Sequence, residues 1–308
     1  MSIVPTNVPM TYGRYREAIQ KITETYPVCR SRCIGTTAFG REILSLAIGS
    51  GDRTVLFTAA HHANEWITAT VLLQFAEDLS RAIMEGGSLY GIPGTLFEQN
   101  CQVFLVPMVN PDGVDLVAGG IPKGSLEWEK AKSLSENYPS IPFPSGWKAN
   151  LLGVDLNLQY PAGWLQAREI KFTQGYTRPG PRDYVGRAPL AQRECRALAA
   201  FTQYLDPALV LAYHTQGQLI YWSFDDIDVP GALALGREFA RLSGYSLENA
   251  PYASGFAGYK DWFIKAFRRP GFTIEAGLGE NPLPLEPFDT IYSNNLGILT
   301  TAALGLPE

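Results

Sequence analysis

Apolar and polar positions follow two different periods along the chain. Residues 12–26 place apolar side chains at intervals of three and four, which predicts a helix that Thr11 caps and Pro27 ends. Further helices are predicted over 65–84, 189–205, 231–243, 259–268 and 287–303. Short apolar runs predict strands over 30–34, 42–48, 53–60, 101–110, 208–214, 217–224 and 271–276.

Strands that alternate with helices in this order indicate an α/β sandwich around a mainly parallel sheet. Residues 118–190 interrupt the alternation, because they are rich in Gly, Pro, Trp and Tyr and show little helical periodicity. We expect a long functional loop there, and we expect NPDG at 110–113 to close its strand as a turn. No internal repeat or break in composition divides the chain, so residues 1–308 are expected to form one domain.

The composition is that of a globular protein, since 46% of the 308 residues are hydrophobic and 18% are charged. The net charge of -5 comes without a long block of one sign, whereas a general nucleic-acid-binding protein would carry a basic stripe. The longest apolar stretches, such as 208–213, are too short to span a membrane. We therefore expect neither nucleic acid nor a membrane as a partner.

The start of the chain and its cysteines bear on the cellular compartment. The N-terminus lacks the basic start and apolar core of a signal peptide, so the expected location is the cytoplasm. Four cysteines (Cys29, Cys33, Cys101 and Cys195) are too few for a disulfide framework in 308 residues, and buried reduced thiols are expected. Cys29 and Cys33 are close enough in sequence to pair or to share a metal, but no second thiol pair follows at zinc-finger spacing.

Three predicted strands end beside side chains that bind metals or transfer protons. Two of these side chains, His62 and Glu65, follow the strand at 53–60, while His214 ends the strand at 208–214 and Glu275 lies near the end of 271–276. In open α/β sheets, ligands bind at the carboxyl ends of the strands. Two imidazoles, one carboxylate and an open position form the pattern of a catalytic zinc site. The alternative for His62 is an ordinary histidine at a strand end.

Five short motifs occur in the order in which the zinc carboxypeptidase family, related to carboxypeptidase A, carries them. They are HHANEWITA from residue 61, NPDG from 110, GVDLN from 153, AYHTQG from 212 and FTIEAG from 272. The resemblance spans about residues 10–305 and implies a three-layer α/β/α sandwich with a mixed, mainly parallel central sheet. It also implies one zinc ion (Zn2+) bound by His62, Glu65 and His214. Glu275 would be the general base and acid, and His61 would point away from the metal.

Two positions depart from the pattern of that family. Where the family has an arginine that stabilises the oxyanion, this chain has Lys148, whose ammonium lacks the fork of a guanidinium. The alternative for Lys148 is a solvated surface lysine. Exopeptidases of the family grip the terminal carboxylate with an Asn–Arg pair; here Asn157 is retained as a candidate substrate-binding residue, but Leu158 replaces the arginine. An ordinary carboxypeptidase is therefore disfavoured.

Longer stretches resemble one bacterial branch of the family, the γ-D-glutamyl-L-diamino-acid endopeptidases. They are WKANLLGVDLNLQYPAGW (147–164), GPRDY (180–184) and the segment 258–284. The branch hydrolyses the bond between the γ-carboxyl of D-Glu and meso-diaminopimelate or Lys in cell-wall peptides. Lys260, Arg268 or Arg269 would pair with a carboxylate of such a substrate, the alternative being a cation near a helix C-terminus. Tyr252 would match the mobile substrate-binding tyrosine of the family, or it is a packing residue.

The sequence therefore predicts a zinc peptidase whose partner is a peptide substrate, a cell-wall muropeptide, and which needs no obligate protein partner. One alternative keeps the fold and changes the substrate, giving a zinc carboxypeptidase or a small-molecule amide hydrolase. The other alternative is a binding protein for cell-wall fragments, with weak catalysis or none. A lack of turnover with metal bound would favour the binding protein.

Overall fold

The apolar runs of the sequence form an eight-stranded sheet within residues 2–306, the part of the chain that this computed structural model describes. Its strands are β1 (Cys29–Thr36), β2 (Glu42–Ile48), β3 (Arg53–Ala59), β6 (Cys101–Val106), β7 (Leu209–His214), β8 (Leu219–Tyr221), β9 (Ser246–Glu248) and β10 (Gly271–Glu275). A separate small hairpin consists of β4 (Ser88–Leu89) and β5 (Ile92–Pro93).

The order of strands across the sheet is β1-β2-β6-β3-β7-β10-β8-β9. Neighbours are parallel from β6 through β3 and β7 to β10 and again between β8 and β9, while the other three pairs are antiparallel. All six residues of β7 are buried, as expected for a central strand covered on both faces. The prediction of a mixed, mainly parallel sheet is confirmed.

Helices cover both faces of the sheet. They are α1 (Tyr12–Thr25), α2 (Ile67–Met84), α3 (Gly94–Asn100), α4 (Pro111–Ala118), α5 (Leu126–Ser135), α6 (Trp164–Thr173), α7 (Arg193–Leu205), α8 (Ala232–Ser243), α9 (Tyr259–Phe267) and α10 (Phe288–Leu304). In β3, Val55 and Phe57 face the core formed with α1, α2, α8 and α10, whereas Leu56 faces the core formed with α7 and α9. The chain thus builds a three-layer α/β/α sandwich.

The strand predicted over 101–110 is shorter, and the turn predicted at NPDG is wrong. Strand β6 ends at Val106, and Asn110 caps helix α4, because its Oδ1 accepts a hydrogen bond of 3.0 Å from the N–H of Gly113. Pro111 occupies the first helical turn, where a missing N–H costs nothing. The same residues that favour a turn therefore start a helix here.

The long loop predicted over 118–190 contains helices α5 and α6. Helix α5 buries only Ala131 and Ser135 and leaves Leu126 exposed, so its apolar period is too weak to detect. Ser125 caps it by accepting a hydrogen bond from the N–H of Trp128. The strand predicted over 217–224 is also shorter, since Gln218 has a positive φ of 53° and β8 begins only after it.

The four cysteines are free thiols, three of them buried, but Cys33 is exposed on the edge strand β1, contrary to the expectation. Cys33 belongs to a run of four exposed residues, 30–33, so neither face of β1 is covered there. Among residues 2–306, no helix combines the length and the apolarity that crossing a lipid bilayer requires.

Candidate metal centre and catalytic cavity

Three strand ends meet at one edge of the sheet. Strand β7 lies between β3 and β10 and is parallel to both, so their carboxyl ends are adjacent. His214 ends β7 beside Glu275, which ends β10. His62 follows β3 and precedes a short 3-10 turn, Ala63–Glu65, which leads into α2. Residues far apart in sequence are therefore brought together, as the strand-end pattern predicts.

His62, Glu65 and His214 converge on one point. Nδ1 of His62 lies 2.9 Å from Oε1 of Glu65, and Nδ1 of His214 lies 2.9 Å from Oε2 of the same carboxylate. The two Nδ1 atoms are 3.2 Å apart. Two ring nitrogens and a buried carboxylate that face one another in this way form a donor set suited to a zinc ion. The residues present fit the metal that the sequence predicts.

Asp155 supports His62 from the other side of the imidazole. Its Oδ1 lies 3.2 Å from Nε2 of His62, and the backbone N–H groups of Asn157 and Asp183 donate to its carboxylate. Burial opposes ionisation, but the charge and hydrogen bond of His62 hold the pKa of Asp155 below its usual value. A carboxylate here fixes the ring so that Nδ1 faces the metal. The sequence analysis missed this role, although Asp155 stands within the motif GVDLN.

Lys148 is only 18% exposed and is paired with Glu65, so its interpretation as a solvated surface lysine is wrong. Its Nζ lies 3.0 Å from Oε1 of Glu65, and its backbone carbonyl accepts a hydrogen bond from the N–H of Ala63. Burial disfavours the ammonium, but the Glu65 carboxylate outweighs this effect and raises the pKa of Lys148. A permanent positive charge therefore lies beside the candidate metal ligands.

Glu275 points into the same cavity and makes no hydrogen bond within residues 2–306. Burial, with a smaller contribution from the charge of Glu65, raises the pKa of Glu275 to about 8. A cation at the candidate metal site would favour the ionised carboxylate. A carboxyl group whose pKa lies near neutrality is suited to both taking and giving a proton.

A cavity of about 220 Å³ opens above these groups. The residues singled out from the sequence that line it are His62, Lys148, Asn157, Leu158, His214, Lys260 and Glu275. Tyr252 lies outside it: the ring is 72% exposed, packs against Phe256 at 5.2 Å and lines a neighbouring hollow. Its role in substrate binding stays a prediction.

Two of the candidate substrate-binding residues meet at the start of α9: Lys260 belongs to the helix, and Asn157 contacts its first residue. The Nζ of Lys260 lies 2.5 Å from the carbonyl oxygen of Ser223 and 2.5 Å from Oδ1 of Asp261. Lys260 belongs to the first turn of α9, so the alternative of a C-terminal helix cation is wrong for this residue. Asn157 accepts a hydrogen bond from the N–H of Tyr259 through Oδ1, which leaves its amide nitrogen free to donate.

Arg268 and Arg269 do not reach the cavity. Arg268 ends α9 with a left-handed backbone, and Arg269 pairs with Asp206 at the amino end of β7. The expectation that either binds a substrate carboxylate is therefore wrong. His61 is not part of the ligand set: its ring stacks on that of His214 at 5.7 Å, and its Nε2 lies 3.1 Å from the hydroxyl of Tyr160. Burial lowers the pKa of His61, so the ring stays neutral.

An α/β/α sandwich that holds two histidines, a glutamate and a second carboxyl group at its strand ends defines a class of metal-dependent hydrolases. The chain belongs to the zinc carboxypeptidase family, whose sequence model matches residues 15–292. It is a metallopeptidase, and the cofactor of its family is one zinc ion.

Individual proteins are similar to the chain in sequence or in fold. The chain is 44% identical to γ-D-glutamyl-L-diamino acid endopeptidase 1 of Lysinibacillus sphaericus over 93% of its own length and 70% of that protein. It is 36% identical to an uncharacterized protein, YqgT, of Bacillus subtilis (strain 168), over 92% and 74% of the two chains. Bovine thrombin-activatable fibrinolysis inhibitor, solved with a tick carboxypeptidase inhibitor, shares the fold with a TM-score of 0.72 at 16% identity, over 96% and 97% of the chains.

Proposed function

We propose that this protein hydrolyses the amide bond between the γ-carboxyl of D-Glu and a diamino acid, meso-diaminopimelate or Lys, in cell-wall peptides. The observation that carries the proposal is the 44% identity, over 93% of the chain, with a peptidase named for that bond. We also propose that residues 1–308 form one catalytic domain. The cytoplasmic location stays a prediction from the sequence.

The metal ligands of the proposal are His62, Glu65 and His214. A zinc ion held there would supply an activated water and would polarise the scissile carbonyl. Asp155 accepts a hydrogen bond from Nε2–H of His62, so that Nδ1 keeps its lone pair for the metal. Burial of Glu65 and His214 excludes bulk water and strengthens the electrostatic interactions among these groups.

Three residues of the cavity act on the substrate. Glu275 accepts a proton from the attacking water and then delivers it to the leaving nitrogen. Lys148 supplies positive charge where negative charge develops on the carbonyl oxygen. Asn157 lines the cavity, where its amide nitrogen can donate to a substrate oxygen.

The composition of the cavity supports a substrate other than an ordinary C-terminus. Leu158 packs against Ala167, Val185 and Ala257, so no guanidinium lies at the position where the exopeptidases of the family bind a terminal carboxylate. The first turn of α9, which lines the cavity, carries the buried ion pair Lys260–Asp261. A side chain that bears both an ammonium and a carboxylate, as meso-diaminopimelate does, matches two opposite charges held side by side.

The test is one reaction followed by mass spectrometry. Zinc-loaded protein is mixed with L-Ala-γ-D-Glu-meso-diaminopimelate, its D-Ala-extended form, and an N-blocked α-peptide with a free C-terminus. Release of L-Ala-D-Glu from the two wall peptides is expected. A parallel sample treated with a chelator should release none, and adding zinc back should restore the activity.

Other outcomes contradict the proposal in distinct ways. Trimming of the α-peptide would identify a zinc carboxypeptidase with a different carboxylate anchor. Cleavage of simple amides alone would identify a small-molecule hydrolase. Zinc binding without cleavage of any substrate would favour a binding protein for cell-wall fragments.

A further inference from the structure

Four cations line the cavity, and each of them is paired with an acidic side chain. Lys148 contacts Glu65, Lys260 contacts Asp261 and the carbonyl of Ser223, and Nζ of Lys171 lies 2.6 Å from Oδ1 of Asp183. The fourth cation is Arg182, which donates through Nε to Oδ2 of Asp183 at 2.7 Å. Its two Nη atoms donate no hydrogen bond within residues 2–306, and the side chain is 39% exposed.

The position of Arg182 is fixed by the segment that carries it. The carbonyl of Pro181 accepts hydrogen bonds from the N–H groups of Lys148 and Ala149, at 2.7 and 2.9 Å. The N–H of Asp183 donates to Oδ2 of Asp155. One oxygen of Asp183 thus holds Lys171 and the other orients the guanidinium. The residues on either side of Arg182 are therefore hydrogen-bonded to Lys148 and to Asp155, which lie beside the candidate metal ligands.

Two groups of charged residues line the cavity, and different parts of the chain position them. Lys260 and Asp261 belong to the first turn of α9, where the N–H of Tyr259 donates to Asn157. Arg182 follows Pro181, whose carbonyl accepts the hydrogen bond from the N–H of Lys148. A substrate with more than one acidic group would find a cation in each group.

We propose that Arg182 binds the α-carboxylate of the γ-linked glutamyl residue on the acyl side of the scissile bond and thereby favours it over an acyl residue that lacks this carboxylate. The inference rests on the proposed function and adds the group that recognises the acyl residue. In a γ-linked residue the α-carboxylate is free and is separated from the scissile carbonyl by the α-carbon and two methylene groups. A neutral α-linked residue, or a γ-linked residue whose α-carboxyl is amidated, offers Arg182 no anion.

The chemistry of a guanidinium suits this task. Its two Nη atoms can donate in parallel to both oxygens of one carboxylate, which a lysine cannot do. Since Asp183 already holds Nε, little rotamer freedom is lost when the carboxylate binds. An α-carboxamide offers only one acceptor oxygen and no charge, so it should bind less well to Arg182 than the free acid.

The experiment compares two substrates, L-Ala-γ-D-Glu-meso-diaminopimelate and the same peptide with an α-carboxamide in place of the α-carboxylate. Arg182→Gln should lower kcat/KM for the free acid by about 10- to 100-fold, mainly through KM, and change the carboxamide by about twofold or less. Arg182→Lys should recover part of the preference. The matched control is Arg187→Gln, an exposed arginine of the same segment, which should leave both substrates unchanged.

A binding measurement separates this inference from the proposed function. Calorimetry with the products L-Ala-D-Glu and L-Ala-D-isoglutamine, on zinc-loaded and metal-free protein, should show a preference for the acid that Arg182→Gln abolishes. Equal losses for acid and carboxamide, or an effect that follows amidation of the diamino acid instead, would overturn the inference and leave the proposed function standing. Absence of cleavage by the unchanged protein would overturn the proposed function, while the calorimetric preference would still decide the role of Arg182.

Discussion

The ammonium of Lys148 lies 3.0 Å from the carboxylate of Glu65, so a candidate oxyanion-stabilising cation and a candidate metal ligand are direct neighbours. A metal ion and an ammonium that share one carboxylate repel each other. The charge at position 148 is therefore expected to oppose metal binding while it assists catalysis. These two effects have opposite signs and can be measured separately.

Replacing Lys148 tests both effects. Lys148→Met should lower kcat by about 100- to 1000-fold, because the charge that meets the oxyanion is lost. The same change should raise zinc affinity, on the order of fivefold, because a nearby positive charge is removed. Steady-state kinetics and a chelator competition titration measure the two quantities. Lys132→Met, at an exposed position of α5, is the control, and a variant of Lys148 with unchanged kcat would exclude the assigned role.

Asp155→Asn should weaken zinc binding by about 10- to 100-fold. The amide loses the negative charge of the carboxylate. It also has only one acceptor oxygen, whereas Asp155 uses one oxygen for His62 and the other for the N–H of Asp183, so one of these two hydrogen bonds is lost. Chelator competition measures the affinity, with Asp289→Asn at an exposed site as the control. Equal zinc affinity in the variant and the unchanged protein would show that Asp155 does not support the ligand.

Glu275→Gln should lower hydrolysis of the wall peptide by about 1000-fold or more while zinc stays bound. The amide fills the same space but cannot accept the proton of the attacking water. Metal content by elemental analysis and product release by mass spectrometry give the two readouts. Glu280→Gln, exposed in the following loop, should retain activity. Full activity of the Glu275 variant would exclude the mechanism.

Glu194, in the first turn of α7, should make stability fall as the pH rises. Burial raises the pKa of Glu194 from its ordinary value of 4.5 to about 7, and Oε2 has no hydrogen-bond partner within residues 2–306. Between these two pH values the folded protein keeps a proton that the unfolded chain releases, so the free energy of unfolding decreases with pH. The stabilisation that this bound proton gives is fully present below pH 4.5 and is lost as the pH rises past about 7.

Glu194→Gln should remove this dependence. The variant is expected to equal the unchanged protein near pH 4.5 and to exceed it in free energy of unfolding at pH 8, by up to about 3 kcal/mol. Urea unfolding at the two pH values measures the difference, and Glu129→Gln, exposed on α5, should behave like the unchanged protein. A variant that is less stable at pH 8 would mean that the ionised carboxylate has a favourable partner.

The residues that could be predicted are those that follow buried strands. His62, His214 and Glu275 end apolar runs, and parallel strands place such ends at one edge of the sheet. Helix α5 could not be predicted, because it is stabilised by its cap and by few buried residues rather than by an apolar face. The role proposed for Arg182 depends on contacts between segments that lie far apart in sequence. The spacing of apolar residues within one segment gives no information about such contacts.

The sheet order has a consequence for how the protein acquires its metal during synthesis. His62 and His214 are separated by 152 positions, and β7 must pair with β3 before their rings face each other. A growing chain that has not yet extended past residue 214 offers only one histidine and one glutamate of the set. Metal retention thus depends on the pairing of β7 with β3, so tightly bound zinc reports that the protein has been made and folded as far as β7.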